Sequence, residues 1–459
     1  MASKSKRARM APQRNYAKTF MYWATTVFVI KLIIIFSIAA GSIEILTKPY
    51  IVDGVWLGAD GENYITGFNA LIRDGIFSKE NILSYWPAGY PLIILLLSIL
   101  GKSWALTTLS IAQSLIFSFA AYLFASQLAR TRIKKYAYLV FILIILNPTL
   151  SLSSIAVGYE SLTASGFLIA AGLIIKDFIE KDNKKFIKYL VINSVIFGLL
   201  TFMQPRLILS GILINLFWVL IRKGVKVGSL LLIATLAITL FFPASLIYRN
   251  YQAIGVNSIS TNLGVTMNIG AGDKATGGYM KKDYGVLCET NGTAAQQDSQ
   301  KVKCVLDWYL SNPSKAVKLF YNKTLYFFSP WIGPAANGTM ARNPWLNISP
   351  IANIASTPDG NKLVYGGFGK LISWLWLLGG IVLIIYGFLV LWRLGSLEKF
   401  IALMAITIVS TNWLISLISI GDHRFRLPIM GMTLFLQAVG LKTLFSRGKV
   451  QVVDGPALR

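Results

Sequence analysis

"FMYWATTVFVIKLIIIFSIAAGSIEIL", residues 20–46, is an apolar run with one lysine, Lys31, and one acid, Glu44. As a helix it would be about 40 Å long, enough to cross a hydrocarbon core of about 30 Å. The tail before it, "MASKSKRARMAPQRNYAK", is basic, and no small-residue cleavage site follows. The run therefore reads as a retained span rather than a removed signal peptide.

Comparable runs recur to the end of the 459-residue chain, of which 55% is hydrophobic and 14% charged. Spans are expected near 20–46, 104–129, 136–152, 160–176, 189–204, 207–221, 228–247, 371–392, 400–419 and 427–445. The expectation is an all-α polytopic membrane protein of about ten transmembrane helices. The net charge of +25 does not point to nucleic acid. With both termini in the cytoplasm, 24 of the 44 Lys and Arg residues fall in or beside short cytoplasmic segments, counting Lys176 and Lys442 at the inner ends of their spans, as the positive-inside rule requires. The excess charge orients the chain and meets anionic membrane lipid.

Two extracytoplasmic segments interrupt the spans. The first, 47–103, contains "VWLGADGENYITGFNALIRDG" (Val55–Gly75) and then "YWPAGYPLIILLLSILG". Tyr64, Ile65, Phe68, Leu71 and Ile72 recur at helical spacing. That piece is too short to span and is expected to lie in the interface. Pro87, Gly89 and Pro91 break the chain before a second short apolar run, expected to be interfacial or re-entrant. The second segment, 248–370, is long, polar and rich in Gly, Asn and Thr, and is expected to act as a lid. Its cysteines, Cys288 and Cys304, are the only two in the chain. An oxidising outer compartment favours a disulfide between them.

Chemistry concentrates at the outer level. Asp60 is either the cap of the interfacial helix, with Glu62 in its first turn, or a general base facing water. "GDHRFRLPIM" (421–430) places Arg424 and Arg426 outside, against the charge bias, beside the lone His423. Arg206 in "TFMQPRLIL" and Arg249 in "YRNYQAIG" lie at the same depth. Guanidinium matches phosphate oxygens with forked hydrogen bonds, so four arginines at headgroup level suggest a lipid phosphate site. Glu160 in "YESL" is placed to partner one of them or to contact an acceptor. No ligand spacing supports a metal, although Asp60, Glu62 and His423 could surround a divalent cation in principle. No phosphate-binding G-x-x-x-x-G-K-[S/T] loop is present.

The ordered set "ADGENY", "ALIRDG", "WPAGYP", "YESL", "QPR", "RNYQAIG…STNLG" and "HRFRLP" resembles bacterial membrane glycosyltransferases of the GT-C superfamily. The branch it looks most like is the protein O-mannosyltransferase-like one that includes the lipid A aminoarabinose transferases. Relatives read D-x-x-x-Y, L-x-x-G, P-P-G-Y-P and R-Y-R-L-P. Here these fall at Asp60–Tyr64, Leu71–Gly75 (one residue longer than the pattern), Pro87–Pro91 (with Ala88 for the second proline) and Arg424–Pro428. The resemblance implies a GT-C-like fold in the inner (plasma) membrane with its site on the extracytoplasmic face. It implies transfer of a sugar, with inversion and without a cofactor, from a polyprenyl-phosphate donor to a lipid, polysaccharide or protein hydroxyl. Asp60 would be the base, assisted by Glu62. Arg424, Arg426, Arg206 and Arg249 would hold the phosphate, and Glu160, Tyr64, Tyr90 and His423 would line the acceptor cavity. A polyprenyl-lipid flippase or transporter is the alternative, disfavoured by the lack of repeat symmetry.

Overall fold

A computed structural model describes residues 2–42, 51–58, 60–279, 285–329 and 357–446. The chain runs α1 (Ala2–Ala39), β1 (Ile51–Val52), β2 (Val55–Leu57), α2 (Gly61–Asp74), α3 (Ile82–Tyr85) and α4 (Gly89–Leu97). It continues through α5 (Ala105–Leu128), α6 (Lys134–Ile145), α7 (Pro148–Ser153), β3 (Ala156–Val157), α8 (Glu160–Glu180), α9 (Asn183–Met203) and α10 (Ile208–Ile254). An outer group follows: α11 (Leu263–Ile269), α12 (Ala294–Ser311), α13 (Pro313–Phe328) and α14 (Pro358–Tyr365). The last helices are α15 (Gly367–Trp392), α16 (Ser396–Ile418) and α17 (Met430–Phe445), with a 3-10 segment, His423–Ile429, leading into α17.

The protein is an all-α polytopic membrane protein. Among the described residues, eight helices are long and apolar enough to cross a membrane. Their burial sorts them. The apolar windows of α8 and of the 423–445 segment are 72% buried, against 22% for α1, α10 and α15. The first two are the centre of the bundle. The others turn large side chains outward, such as Ile33 and Phe36 on α1 and Leu375 and Val382 on α15, where lipid replaces protein as the apolar partner.

The expected spans 207–221 and 228–247 belong to one helical hairpin. Gly224 (φ 68°, ψ −178°) breaks the α10 geometry, a conformation that costs glycine little. Both halves then pack beside α9: Asn215 Nδ2 and the Thr239 hydroxyl both donate to Ser194. The expected span 136–152 is shorter than foreseen. Asn147 caps α7 by accepting from Leu150 N, with Pro148 at the first helical position, so α6 stops after 12 residues. The two pieces still carry the chain between opposite ends of the bundle. Tyr136 bonds Thr443 at one end, and Glu160 meets Arg424 at the other.

α2 forms where the periodicity placed it, with Tyr64, Ile65, Phe68 and Leu71 buried on one face. It ends at Gly75 (φ 82°), whose N–H bonds Leu71 O. The 248–370 segment is not a bare loop. Met267, Val305, Tyr309, Ala316 and Leu319 give its helices a small core of their own. Cys288 and Cys304 are bonded there, with Cα atoms 6.0 Å apart. This layer rests on the end of α16 and on the 3-10 segment. Gly421 N donates to Gly277 O, and the Tyr309 hydroxyl donates to Ile418 O. Lys323 Nζ donates to Leu417 O at the C-terminus of α16. Reciprocally, Arg426 donates to Phe328 O and Ser329 O at the C-terminus of α13. Each cation thus meets the negative end of a helix. The lid expectation also covers residues 330–356, which lie outside the described residues.

Candidate active site

Three separate stretches of chain bring charge to one point, and a two-residue strand pairing aligns two of them. A tight turn at Asp53 and Gly54, both at positive φ, folds β1 antiparallel onto β2. β2 then pairs parallel with β3, Trp56 opposite Ala156 and Leu57 opposite Val157. The chain leaves β2 toward Asp60 and leaves β3 toward Glu160, so the two carboxylates emerge side by side. Gly58 makes the approach possible. Its N–H bonds Val157 O at 3.0 Å, and a Cβ at this position would fall 2.7 Å from that oxygen.

The third stretch supplies Arg424. Its Nη1 lies 2.7 Å from Asp60 Oδ2 and its Nε lies 2.7 Å from Glu160 Oε1. Asp60 stands at the N-cap position of α2 but makes no capping bond; it adopts φ 57°, ψ 8°, and its carboxylate goes to the arginine instead. The capping role is therefore absent. The side chains of Arg424 and Glu160 are 4% and 6% exposed, and that of Asp60 is 16% exposed. Asp60 is the most accessible member of the triad. Glu62 lies in the first turn of α2 on its exposed face.

The four arginines separate by role. Arg249 donates to Ile76 O, Ser78 O and Leu83 O and to Asn250 Oδ1, so it pins the first outer segment to α10. Arg426 is engaged with the end of α13. Both guanidiniums, expected from sequence at a phosphate, are thus largely taken up by backbone carbonyls far away in sequence. Arg424 is held by carboxylates. Arg206 is different. Its guanidinium sits 4.0 Å over the Phe425 ring, and among the described residues its one hydrogen bond runs from Nη2 to Phe425 O at 3.3 Å. Its Nε is buried without a hydrogen-bond partner among the described residues, as is that of Arg426, whose two other nitrogens are taken by the end of α13. A buried unsatisfied donor on a cation is costly unless something fills it.

Aromatic side chains wall the cluster. Tyr64 packs edge-on against Tyr90 (4.9 Å) and Tyr159 (6.1 Å). The Tyr159 hydroxyl accepts from Gln204 Nε2, and its ring lies 5.8 Å from the Arg424 guanidinium. Burial pushes the Tyr64 and Tyr159 hydroxyls above their ordinary range, so both remain donors at neutral pH. Tyr90 has a structural task. It donates to Gln113 Oε1 and accepts from Gly158 N, holding the turn before Glu160. His423 is buried, with Nδ1 3.6 Å from Asp422 Oδ1. Among the described residues no three His, Cys, Asp or Glu side chains are grouped to hold a metal ion.

Sequence reasoning passed over Asp422, Tyr159 and Gln204. Asp422 caps the 3-10 segment, its Oδ1 accepting from Arg424 N at 2.8 Å. An Asp before a short helical turn is a cap signal, and it was legible in "GDHRF". Burial lifts the Asp422 carboxyl to about 6, against the opposing pull of the Arg424 N–H and of the Arg424 and Arg206 charges.

No family model matches the chain, and no curated protein does. One solved structure is similar: the archaeal oligosaccharyltransferase AglB from Archaeoglobus fulgidus, determined in complex with an inhibitory peptide and a dolichol-phosphate. The alignment covers 93% of this chain and 51% of that one, at 14% identity and a TM-score of 0.46. The chain thus spans about half the length of the protein it matches.

Proposed function

We propose that the protein is a membrane glycosyltransferase. In this reading it moves a sugar from a polyprenyl-phosphate donor to an acceptor hydroxyl at the outer surface of the inner membrane. The observation that carries the reading is the Asp60–Arg424–Glu160 triad beside Arg206. A solvent-touching carboxylate and a guanidinium with an unfilled donor stand together at one end of an apolar bundle. A lipid-linked donor reaches such a place by lateral diffusion, and its phosphate meets Arg206 and the outer edge of Arg424.

The acceptor hydroxyl attacks the anomeric carbon from the face opposite the phosphate. Asp60 takes the hydroxyl proton as the new C–O bond forms. The bond from the anomeric carbon to the phosphate oxygen breaks, and its electron pair leaves with the polyprenyl phosphate. The acceptor oxygen gives up its proton late, when it is already partly bonded to carbon and far more acidic than a free hydroxyl. Charge grows on the leaving phosphate, where the arginines offset it. Glu160 keeps Arg424 in place on its other edge.

The test is incubation of the purified protein with a panel of labelled polyprenyl-phosphate sugars. Cleavage or transfer that disappears with Asp60→Asn supports the reading. Movement of intact donor between leaflets without cleavage would establish the flippase instead.

A further inference from the structure

Five ionisable groups share the site: Asp60, Glu160 and Asp422 against Arg424 and Arg206. Fully ionised, they sum to one negative charge. A phosphate placed against Arg206 would add another negative charge to a nearly dry cluster. Such a site binds an anion well only if it first gains a cation or a proton.

We propose that Asp422 is the proton acceptor that makes phosphate binding possible: the donor phosphate enters together with one proton, which lodges on the Asp422 carboxyl. The inference rests on the phosphate site proposed above and goes beyond it by making binding proton-linked.

The geometry singles out Asp422 among the three carboxyls. Asp60 and Glu160 each hold a 2.7 Å ion pair with Arg424, and protonation would break it. Among the described residues Asp422 makes no ion pair with an arginine; its Oδ1 accepts the backbone N–H of Arg424 at 2.8 Å. A protonated carboxyl can keep that bond through its carbonyl oxygen. Arg424, Arg206 and Asp60 act on it from the facing elements, His423 and Tyr326 lie beside it, Arg426 acts on His423, and Lys323 of α13 backs the neighbouring Gly421. His423 Nδ1, at 3.6 Å, is too far away for a firm bond. Its ordinary range is already raised to about 6, so a nearby anion need move it little further to cross neutrality. Protonation leaves the cluster neutral before the phosphate arrives, and the negative charge then comes to rest on the phosphate beside the two guanidiniums.

The probe is farnesyl methyl phosphate, a phosphodiester that carries one charge throughout the working range and does not itself titrate there. Binding to the full-length protein in detergent is measured by calorimetry at pH 7 in two buffers of different ionisation heat, which yields the protons taken up. The expected uptake is roughly half a proton to one proton per phosphate, with affinity falling up to about tenfold per pH step above 6. Asp422→Asn keeps the capping acceptor and removes the titration. It should bind the probe with no proton uptake and with an affinity independent of pH. His423→Gln should behave as the parent. Uptake that survives in Asp422→Asn, or that vanishes in His423→Gln instead, overturns the assignment. Binding by the parent protein without proton uptake overturns the linkage and leaves the phosphate site intact. A protein that binds no probe at any pH loses both.

Discussion

Replacing Asp60 by Asn separates chemistry from architecture at this site, because the consequences for stability and for rate differ in size. The parent has two carboxylates on one guanidinium, both at 2.7 Å. Neutralising Asp60 leaves Arg424 paired one-to-one with Glu160, so no buried charge is orphaned. The cost of about 3–5 kcal/mol for breaking a buried ion pair does not apply. What changes is a charged hydrogen bond becoming a neutral one at a side chain 16% exposed, a difference of about 1 kcal/mol. Asn also accepts the left-handed backbone at φ 57° as readily as Asp. Melting should therefore shift by no more than about 2 °C. Transfer should fall by roughly 10²–10⁴, or about 3–5.5 kcal/mol in barrier, because the amide cannot take the acceptor proton. The assay is donor turnover under saturating donor, with thermal unfolding followed in the same detergent. A mutant that turns over at near-parental rate removes Asp60 from the chemistry. One that unfolds many degrees lower shows that the triad is primarily structural.

Arg206→Ala should weaken binding of a phosphodiester lipid by about 1.5–3 kcal/mol while leaving the fold intact, whereas Arg249→Ala should lower stability and leave affinity in the folded fraction unchanged; equilibrium binding and melting curves distinguish them. Lys323 is fully buried and its ammonium is lowered to about 7 by burial. The folded protein then binds fewer protons than the unfolded chain between about 7 and 10.5, so stability should rise with pH across that window. Lys323→Met should flatten the slope, and a parental melting temperature that does not rise from pH 7 to 9 refutes the assignment. The Cys288–Cys304 bond closes a loop with a sequence separation of 16, a constraint of about 3 kcal/mol on the unfolded layer. A double alanine variant should lose amide protection in α12 and α13 while α8 and α17 keep theirs.

The spans and α2 were legible because each writes its reason in local sequence: runs of apolar residues in the first case, and Tyr64, Ile65, Phe68 and Leu71 on one helical face in the second. The hairpin at Gly224 was legible too, since it falls in the gap between the expected spans 207–221 and 228–247. The meeting of Asp60 and Glu160 on one arginine was not legible. It depends on two strands of two or three residues, a hundred positions apart, with no alternation long enough to register. The fates of Arg249 and Arg426 were also hidden, because both end on backbone carbonyls that any sequence would supply. The helices of the outer layer could have been found. Thr293 and Gln296 form a reciprocal capping box at the start of α12, a pattern of the kind that marks a helix start, and it went unread inside a segment judged by its polarity.

The exchange of cations between α13 and the arginine segment sets a boundary for any transplant of the polar insertion. Lys323 closes the end of α16, and Arg426 closes the end of α13. Those crossed ties make α13 part of the frame that fixes Arg424, although in sequence it belongs to the polar insertion. A transplant that swaps the insertion up to Ser311 can keep both ties and leave the charged centre undisturbed. One whose junction lies beyond Lys323 replaces a support of the charged centre along with the surface it was meant to vary.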